Sequence, residues 1–172
     1  MSTLVALGFG GNLTEPIATI HAAIEHLRIT GILTDLTVSH FYRTTPWGGA
    51  EGSDFINVAV TGVTDLDAEA LLDRLHSLET EAGRVHSQHH YEARILDIDI
   101  LLFGEQIVEN GKLTIPHPFL AERRFVLVPL AEIAEGWTVP TKQTTVRQLL
   151  QSCRDTLKVE QIAGGSGTEE PS

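Results

Sequence analysis

Asp97 and Asp99 stand two positions apart in the segment Arg94-Ile95-Leu96-Asp97-Ile98-Asp99-Ile100-Leu101, inside a run of strand-forming aliphatics. Side chains two apart on a strand point the same way. The two carboxylates therefore share one face, and Leu96, Ile98, Ile100 and Leu102 are expected on the other. Paired carboxylates are hard oxygen ligands suited to Mg²⁺, which takes one or two protein carboxylates and completes its octahedron with water and substrate phosphates. A solvated acidic edge of an amphipathic strand has the same pattern, and these eight residues alone leave both readings open.

Other polar residues gather around this segment. Arg84, Arg94, Lys112, Arg123 and Arg124 surround it in sequence, with His117 among them. Metal-bound carboxylates no longer repel phosphate, so guanidinium groups on flanking loops can complete a cradle; arginines that merely solvate loops are the alternative. In Ile115-Pro116-His117-Pro118 the flanking prolines restrict the backbone and hold the imidazole in a stiff loop, for a ligand or for a structural hydrogen bond. Asn57 lies two positions from Phe55 and so on its face. A buried amide needs partners, which a flat heterocycle with donor and acceptor edges would supply. Phe55 and Phe125 are then stacking surfaces or ordinary core. His86, His89 and His90 invite a zinc reading, but no cysteine or further acidic ligand has structural zinc spacing, and the cluster reads as a solvated loop.

The elements that must position these groups follow from periodicity. Residues 3 to 9 read as a buried strand leaving through a tight turn at Gly8, Gly10, Gly11 and Asn12. Thr14 is the expected N-cap of a helix with Pro16 in its first turn and Ile17, Ile20, Ile24 and Leu27 at helical spacing, stopped at Gly31. Residues 33 to 43 read as one strand, residues 44 to 54 as a loop, and Phe55 to Val63 as a strand. Asp65 or Asp67 caps a helix carrying Leu71, Leu72, Leu75 and Leu78 that ends near Gly83. The strand with the paired aspartates comes next. This order, strand, helix, strand, strand, helix, strand, predicts an α+β fold of ferredoxin-like βαββαβ type, with both helices on one face of an antiparallel sheet and the other face available for a site. Further on, Leu113 to Pro118 reads as extended, Phe125 to Ile133 as a strand-to-helix turn around Pro129, and Val146 to Cys153 as a last amphipathic helix. Residues 1–163 are expected to form one domain and residues 164–172 a disordered tail.

The 172 residues carry a formal net charge of −11. That balance argues against nucleic-acid and anionic-membrane partners, since phosphate backbones are bound chiefly through Lys and Arg. A single cysteine, Cys153, excludes an intrachain disulfide and fits a reducing compartment. No signal peptide or long apolar run is visible, so the expected location is the cytoplasm and the expected ligands are small molecules. A monomer is the default.

Gly8-Phe9-Gly10-Gly11-Asn12-Leu13, Phe41-Tyr42-Arg43-Thr44-Thr45-Pro46-Trp47-Gly48, Asp54-Phe55-Ile56-Asn57, Glu79-Thr80-Glu81-Ala82-Gly83-Arg84, Arg94 to Leu101, Pro116-His117-Pro118 and Arg123-Arg124-Phe125 follow one another in an order and spacing that resembles the hydroxymethyldihydropterin pyrophosphokinase family of folate biosynthesis. The resemblance runs from about residue 4 to about residue 140. It implies transfer of pyrophosphate from ATP to the hydroxymethyl group of a reduced pterin, with release of AMP. By the same likeness Asp97 and Asp99 would hold two Mg²⁺ ions, Arg84 and Arg94 would close over the nucleotide, and His117 and Arg123 would contact phosphates. Glu79, Ile100 and Lys112 would be further contacts on the nucleotide side. The pterin would stack between Phe55 and Phe125, with Thr44, Asn57 and the backbone near Trp47 meeting its polar edge. Arg84, Arg94, Asp97 and Asp99 would carry the catalysis by alignment and charge stabilisation, without a nucleophilic residue. The loops 44–54 and 84–94 are the expected lids. One departure stands out: His90-Tyr91-Glu92-Ala93-Arg94 occupies the place where relatives commonly have an Arg-Trp-Gly-Pro-Arg type of sequence. The altered segment supports a rival reading, a non-catalytic ferredoxin-like module that binds pterin or nucleotide without turnover.

Overall fold

Nine residues of strand, β1 (Thr3–Gly11), form an interior strand of the chain's main sheet, next to one edge. The computed structural model describes residues 1–12, 15–45, 54–83 and 95–162. The expected Thr14 cap, Trp47, Arg84, Arg94, the histidines at 86, 89 and 90, most of both predicted lids and the 164–172 tail lie outside the described residues.

β1 pairs antiparallel with β4 (Phe55–Thr64) on one side and β5 (Asp97–Phe103) on the other. Two further strands, β2 (Thr34–Val38) and β3 (Tyr42–Thr44), both pair with β4, and β3 pairs in turn with β10 (Val159–Gln161). The path is β10-β3-β4-β1-β5, with β2 also on β4. The single strand expected over 33–43 is thus two. Between them Ser39 takes over the ladder: its N–H donates to the Ala59 carbonyl and its Oγ accepts from the Ala59 N–H, both at 2.9 Å. A hydroxyl standing in for a carbonyl interrupts regular pairing without orphaning the β4 amide.

The glycines of β1 are also corrected. Gly8, Gly10 and Gly11 are strand residues within the β1–β4 register and do not form a turn. Leu7 and Phe9, which alternate with Gly8 and Gly10, are buried on the opposite face. Alternation of Gly with large apolar groups is the period of a strand with one bare face.

Two helices cover the apolar face. α1 (Pro16–Ile29) buries Ile20, Ala23, Ile24 and Leu27, and α2 (Ala68–Glu81) buries Leu71, Leu75 and Leu78, against Val5, Leu7, Phe9, Val58, Val60, Ile98 and Ile100. The α1 N-cap position is Glu15, in the left-handed region at φ 49° with no side-chain cap, and Pro16 begins the helix. Asp67 caps α2, accepting from the Ala70 N–H at 2.8 Å, and Gly83 follows its end at φ 96°, a conformation open to glycine.

The other face is half covered. α3 (Arg124–Ala134) and α4 (Val146–Ser152) pack on Ala6, Ala59, Leu101 and Leu102. Residues 125 to 133, expected as a strand-to-helix turn, are helical throughout with Pro129 inside. The residue is buried, and burial of the helix, with Leu127 and Leu130 on the sheet, offsets the lost backbone bond. α4 matches the expected final helix and opens with a capping box of Thr145 and Gln148.

β5 departs from the simple alternation at one point. Leu7 pairs with Ile100 and Ala6 with Leu102, so Leu101 is an extra residue in a bulge. Beyond it the strand changes phase. Leu102, expected beside Ile98 and Ile100, packs under α3 and α4, and Phe103 returns to the α1 and α2 side. The stretch expected to be extended after Leu113 is β7 (Thr114–Ile115), paired with β6 (Val108–Glu109), followed by a cis Ile115-Pro116 bond.

Candidate active site

A cleft opens on the bare half of the second face. Its floor is Gly8, Gly10, Asn57 and Ala59 from β1 and β4. Asp97 and Asp99 rise from β5, and Arg123, Phe125, Val126 and Pro129 form the α3 side. Register explains the gathering: Gly10 pairs with Asn57 on one side and with Asp97 on the other, and Gly8 pairs with Asp99. Paired residues share a face, so the sheet alone brings the amide and both carboxylates into one row.

The glycines make the row accessible. A Cβ at Gly10 would lie 2.9 Å from Asn57 Oδ1, closer than real contacts allow, and one at Gly8 would fill the space up to van der Waals contact with Leu101 at 3.4 Å. Alternating glycine inside an apolar strand was the signal that could have revealed this floor from sequence.

Two polar atoms at the site lack hydrogen-bond partners. Asn57 Nδ2 and Thr44 Oγ1 are buried and unpaired. Tyr42 pairs with Asn57 and Thr44 with Phe55, so Thr44, Phe55 and Asn57 stand on one face. Leaving such groups unmade costs about 1–3 kcal/mol each, and a ligand that pairs with them recovers that cost. Phe55 and Phe125 are half-buried, and the Arg123 Cζ sits 5.9 Å from the Phe125 ring centre.

On the far side of the aspartates, His117 Nε2 lies 3.9 Å from Asp99 Oδ2, and its Nδ1 accepts from the Phe119 N–H at 3.2 Å. A neutral ring with Nδ1 as acceptor carries its proton on Nε2, facing the cleft. Burial, reinforced by the Arg123 charge and opposed by Asp97, lowers the His117 pKa from its ordinary value. The bulge places this residue: the His117 N–H donates to the carbonyl of Leu101 at 3.1 Å.

The remaining expected contacts divide. Glu79 is 1% exposed and accepts from the Ile98 N–H at 3.0 Å, fastening α2 to the outer edge of β5. Ile100 has its side chain in the core, so contact with a ligand would have to come through its backbone. Lys112 is exposed on the β6–β7 turn, its N–H bonded to Asn110 Oδ1, and it does not line the cleft. Among the described residues no group of three or more His, Cys, Asp or Glu forms a metal cage. The donor set of Asp97 and Asp99 instead matches a cation that keeps water and phosphate ligands.

The α3 helix is tied to the sheet by Glu132. Its carboxylate accepts from the Tyr42 hydroxyl at 2.5 Å, from the His40 N–H at 2.9 Å and from His40 Nδ1 at 3.0 Å. Burial, then the bond to Glu132 and its charge, push the Tyr42 pKa well above the usual phenol value.

Residues 6–135 match the family described as 7,8-dihydro-6-hydroxymethylpterin-pyrophosphokinase. A Haemophilus influenzae 2-amino-4-hydroxy-6-hydroxymethyldihydropteridine pyrophosphokinase is 39% identical over 137 residues, 80% of this chain and 85% of that protein. A protein of the same name from Methylorubrum extorquens is 38% identical over 148 residues, 86% of this chain and 92% of that one. Among solved structures, the Plasmodium falciparum HPPK-DHPS with pteroate shares the fold at a TM-score of 0.69 and 15% identity. The match covers 88% of this chain but only 42% of that one, so this chain spans under half of that protein. On the family match and the identity to these relatives, the chain belongs to the 7,8-dihydro-6-hydroxymethylpterin-pyrophosphokinase family.

Proposed function

We propose that the cleft between β5 and α3 is where this family member transfers pyrophosphate from ATP to the hydroxymethyl group of 6-hydroxymethyl-7,8-dihydropterin, releasing AMP in folate biosynthesis. The relatives' shared name as pyrophosphokinases weighs against the non-catalytic module. The observation that carries the placement is the pair of orphaned polar atoms, Asn57 Nδ2 and Thr44 Oγ1, on the same face as two carboxylates. A reduced pterin offers a flat ring for Phe55 and Phe125 and a polar edge for Asn57, Thr44 and the backbone near Trp47.

Asp97 and Asp99 fit Mg²⁺ and would hold two ions against the triphosphate. Bound there, the ions would supply charge neutralisation and polarise phosphoryl oxygens. The chain's own groups do the rest. Arg123, with Arg84 and Arg94, would take the developing charge on phosphate oxygens. His117, neutral with Nε2–H toward the cleft, donates to an oxygen without adding a charge. Glu79 and the backbone at Ile100, on the outer edge of β5, would meet the nucleotide side with Lys112 at its rim. The substrate hydroxyl attacks the β-phosphorus and AMP leaves in line, so the residues' task is to align and to exclude water.

The ferredoxin-like βαββαβ reading is supported by the β3-β4-β1-β5 order with α1 and α2 on one face. A single domain over residues 1–163, acting as a cytoplasmic monomer on ATP and a reduced pterin, completes the proposal. No described helix is long and apolar enough to cross a membrane. The test is incubation with ATP, Mg²⁺ and 6-hydroxymethyl-7,8-dihydropterin followed by identification of the nucleotide product. AMP is the expected product; ADP, or nucleotide binding without turnover, overturns the reading.

A further inference from the structure

Phe119 is 47% exposed, so burial does not explain its position. Two of its contacts do. The Arg123 Cζ lies over its ring, 4.8 Å from the centre, and its own N–H donates to His117 Nδ1. Its carbonyl accepts from the Glu122 N–H, starting the short 3-10 turn Leu120–Glu122 that leads to Arg123. Arg123 thus has one ring at 4.8 Å and a second, Phe125, at 5.9 Å. Among the described residues no carboxylate pairs with its guanidinium.

An arginine held by carboxylates spends its in-plane N–H donors on them. Contact with an aromatic face uses the flat side of the cation and leaves those donors for an incoming anion. A ring over Arg123 also limits where a long flexible side chain goes, which lowers the ordering cost when phosphate arrives.

We propose that Phe119 is a positioning residue: its ring is the platform that presents the Arg123 guanidinium, donors outward, to the phosphates of the nucleotide. This deepens the proposed role of Arg123 and rests on it. Phe119 touches no substrate. The loop gives it its place, because one residue both fixes the His117 tautomer through its amide and carries Arg123 on its ring.

The test compares Phe119→Leu, which keeps apolar bulk without a π face, with Phe119→Trp, which keeps the face. Binding of a nonhydrolysable ATP analogue with Mg²⁺, and separately of the pterin, is read by calorimetry, and the Arg123 Nε–H resonance by NMR. In the unmodified chain that resonance is expected upfield, shifted by the ring current. Phe119→Leu should return it toward the ordinary arginine position and weaken the analogue about 2- to 5-fold, leaving the pterin unmoved, and Phe119→Trp should retain both signals. An Arg123 resonance indifferent to Phe119→Leu overturns the platform, as does equal loss of both ligands in both variants. Arg123→Ala separates the two levels. Weakened analogue binding there without any Phe119→Leu effect overturns the platform alone, whereas unchanged binding in Arg123→Ala overturns the phosphate role itself.

Discussion

On one face of β1 the side chains are Val5, Leu7 and Phe9, buried beneath α1 and α2; on the other they are Ala6, Gly8 and Gly10, with α3 reaching only part of the way across. The same alternation runs through β5, where Ile98 and Ile100 face the helices while Asp97 and Asp99 line the cleft. One face spends its side chains on volume and the other withholds them. The withheld volume is where a flat ligand and a phosphate chain can lie, and the full side supplies the burial that holds the fold together around it.

Breaking the full side should cost stability first. Leu7→Ala removes a fully buried side chain and is expected to destabilise the fold by about 2–5 kcal/mol in urea denaturation, with activity per folded molecule retained. Loss of activity without loss of stability would erase the distinction between the faces. The reverse holds for Asp97→Ala or Asp99→Ala. Turnover should fall by about 10²–10³-fold, while stability changes by about 1 kcal/mol or less; a variant with near-normal rates contradicts the charge-handling role. Asn57→Ala sharpens the comparison further. Pterin affinity is expected to drop by about 1–3 kcal/mol, ATP-analogue affinity to hold, and thermal stability to stay level or rise, because a buried donor without a partner has been removed. A clear fall in Tm would show that the amide is satisfied within the protein.

The smallest effect probes the strap that holds α3 over the open side. The native state keeps the Tyr42 phenol protonated above the pH at which an unfolded tyrosine ionises, near pH 10. The native state then binds more protons than the unfolded one, so stability is present below about pH 10 and declines as pH rises beyond it. Tyr42→Phe should lose about 1 kcal/mol near neutrality and show a shallower alkaline decline. Identical slopes between pH 9 and 11 would detach Tyr42 from that behaviour.

Much of this was legible in the sequence, and for physical reasons. Helical spacing in Ile17 to Leu27 and in Leu71 to Leu78, and the two-residue spacing of the aspartates, are local periodicities that tertiary packing only has to accept. What escaped depended on partners distant in sequence. Ser39 breaks a strand because it bonds Ala59 across the sheet. Pro129 sits buried inside a helix whose neighbouring Leu127 and Leu130 pack on the sheet. Gly8 and Gly10 read as a turn by composition, although their alternation with Leu7 and Phe9 already carried the strand period. Among the site residues, Asp97, Asp99, Asn57, Arg123 and Phe125 come together in one cleft. Phe119 gave no signal, since nothing in the sequence says that an exposed ring will lie under an arginine.

The bulge at Leu101 joins what folding requires to what assembly of the phosphate side requires, since its side chain fills the core and its carbonyl holds the His117 loop. Were that residue deleted, Ile100 would still oppose Leu7 and Leu102 would still oppose Ala6, so both hydrophobic layers would keep their phase. What would vanish is the carbonyl that receives the His117 amide, together with a buried side chain from the layer under α3 and α4. A chain shortened by this one residue would therefore lose core volume beneath α3 at the same stroke that cuts its imidazole loop adrift from the acidic strand.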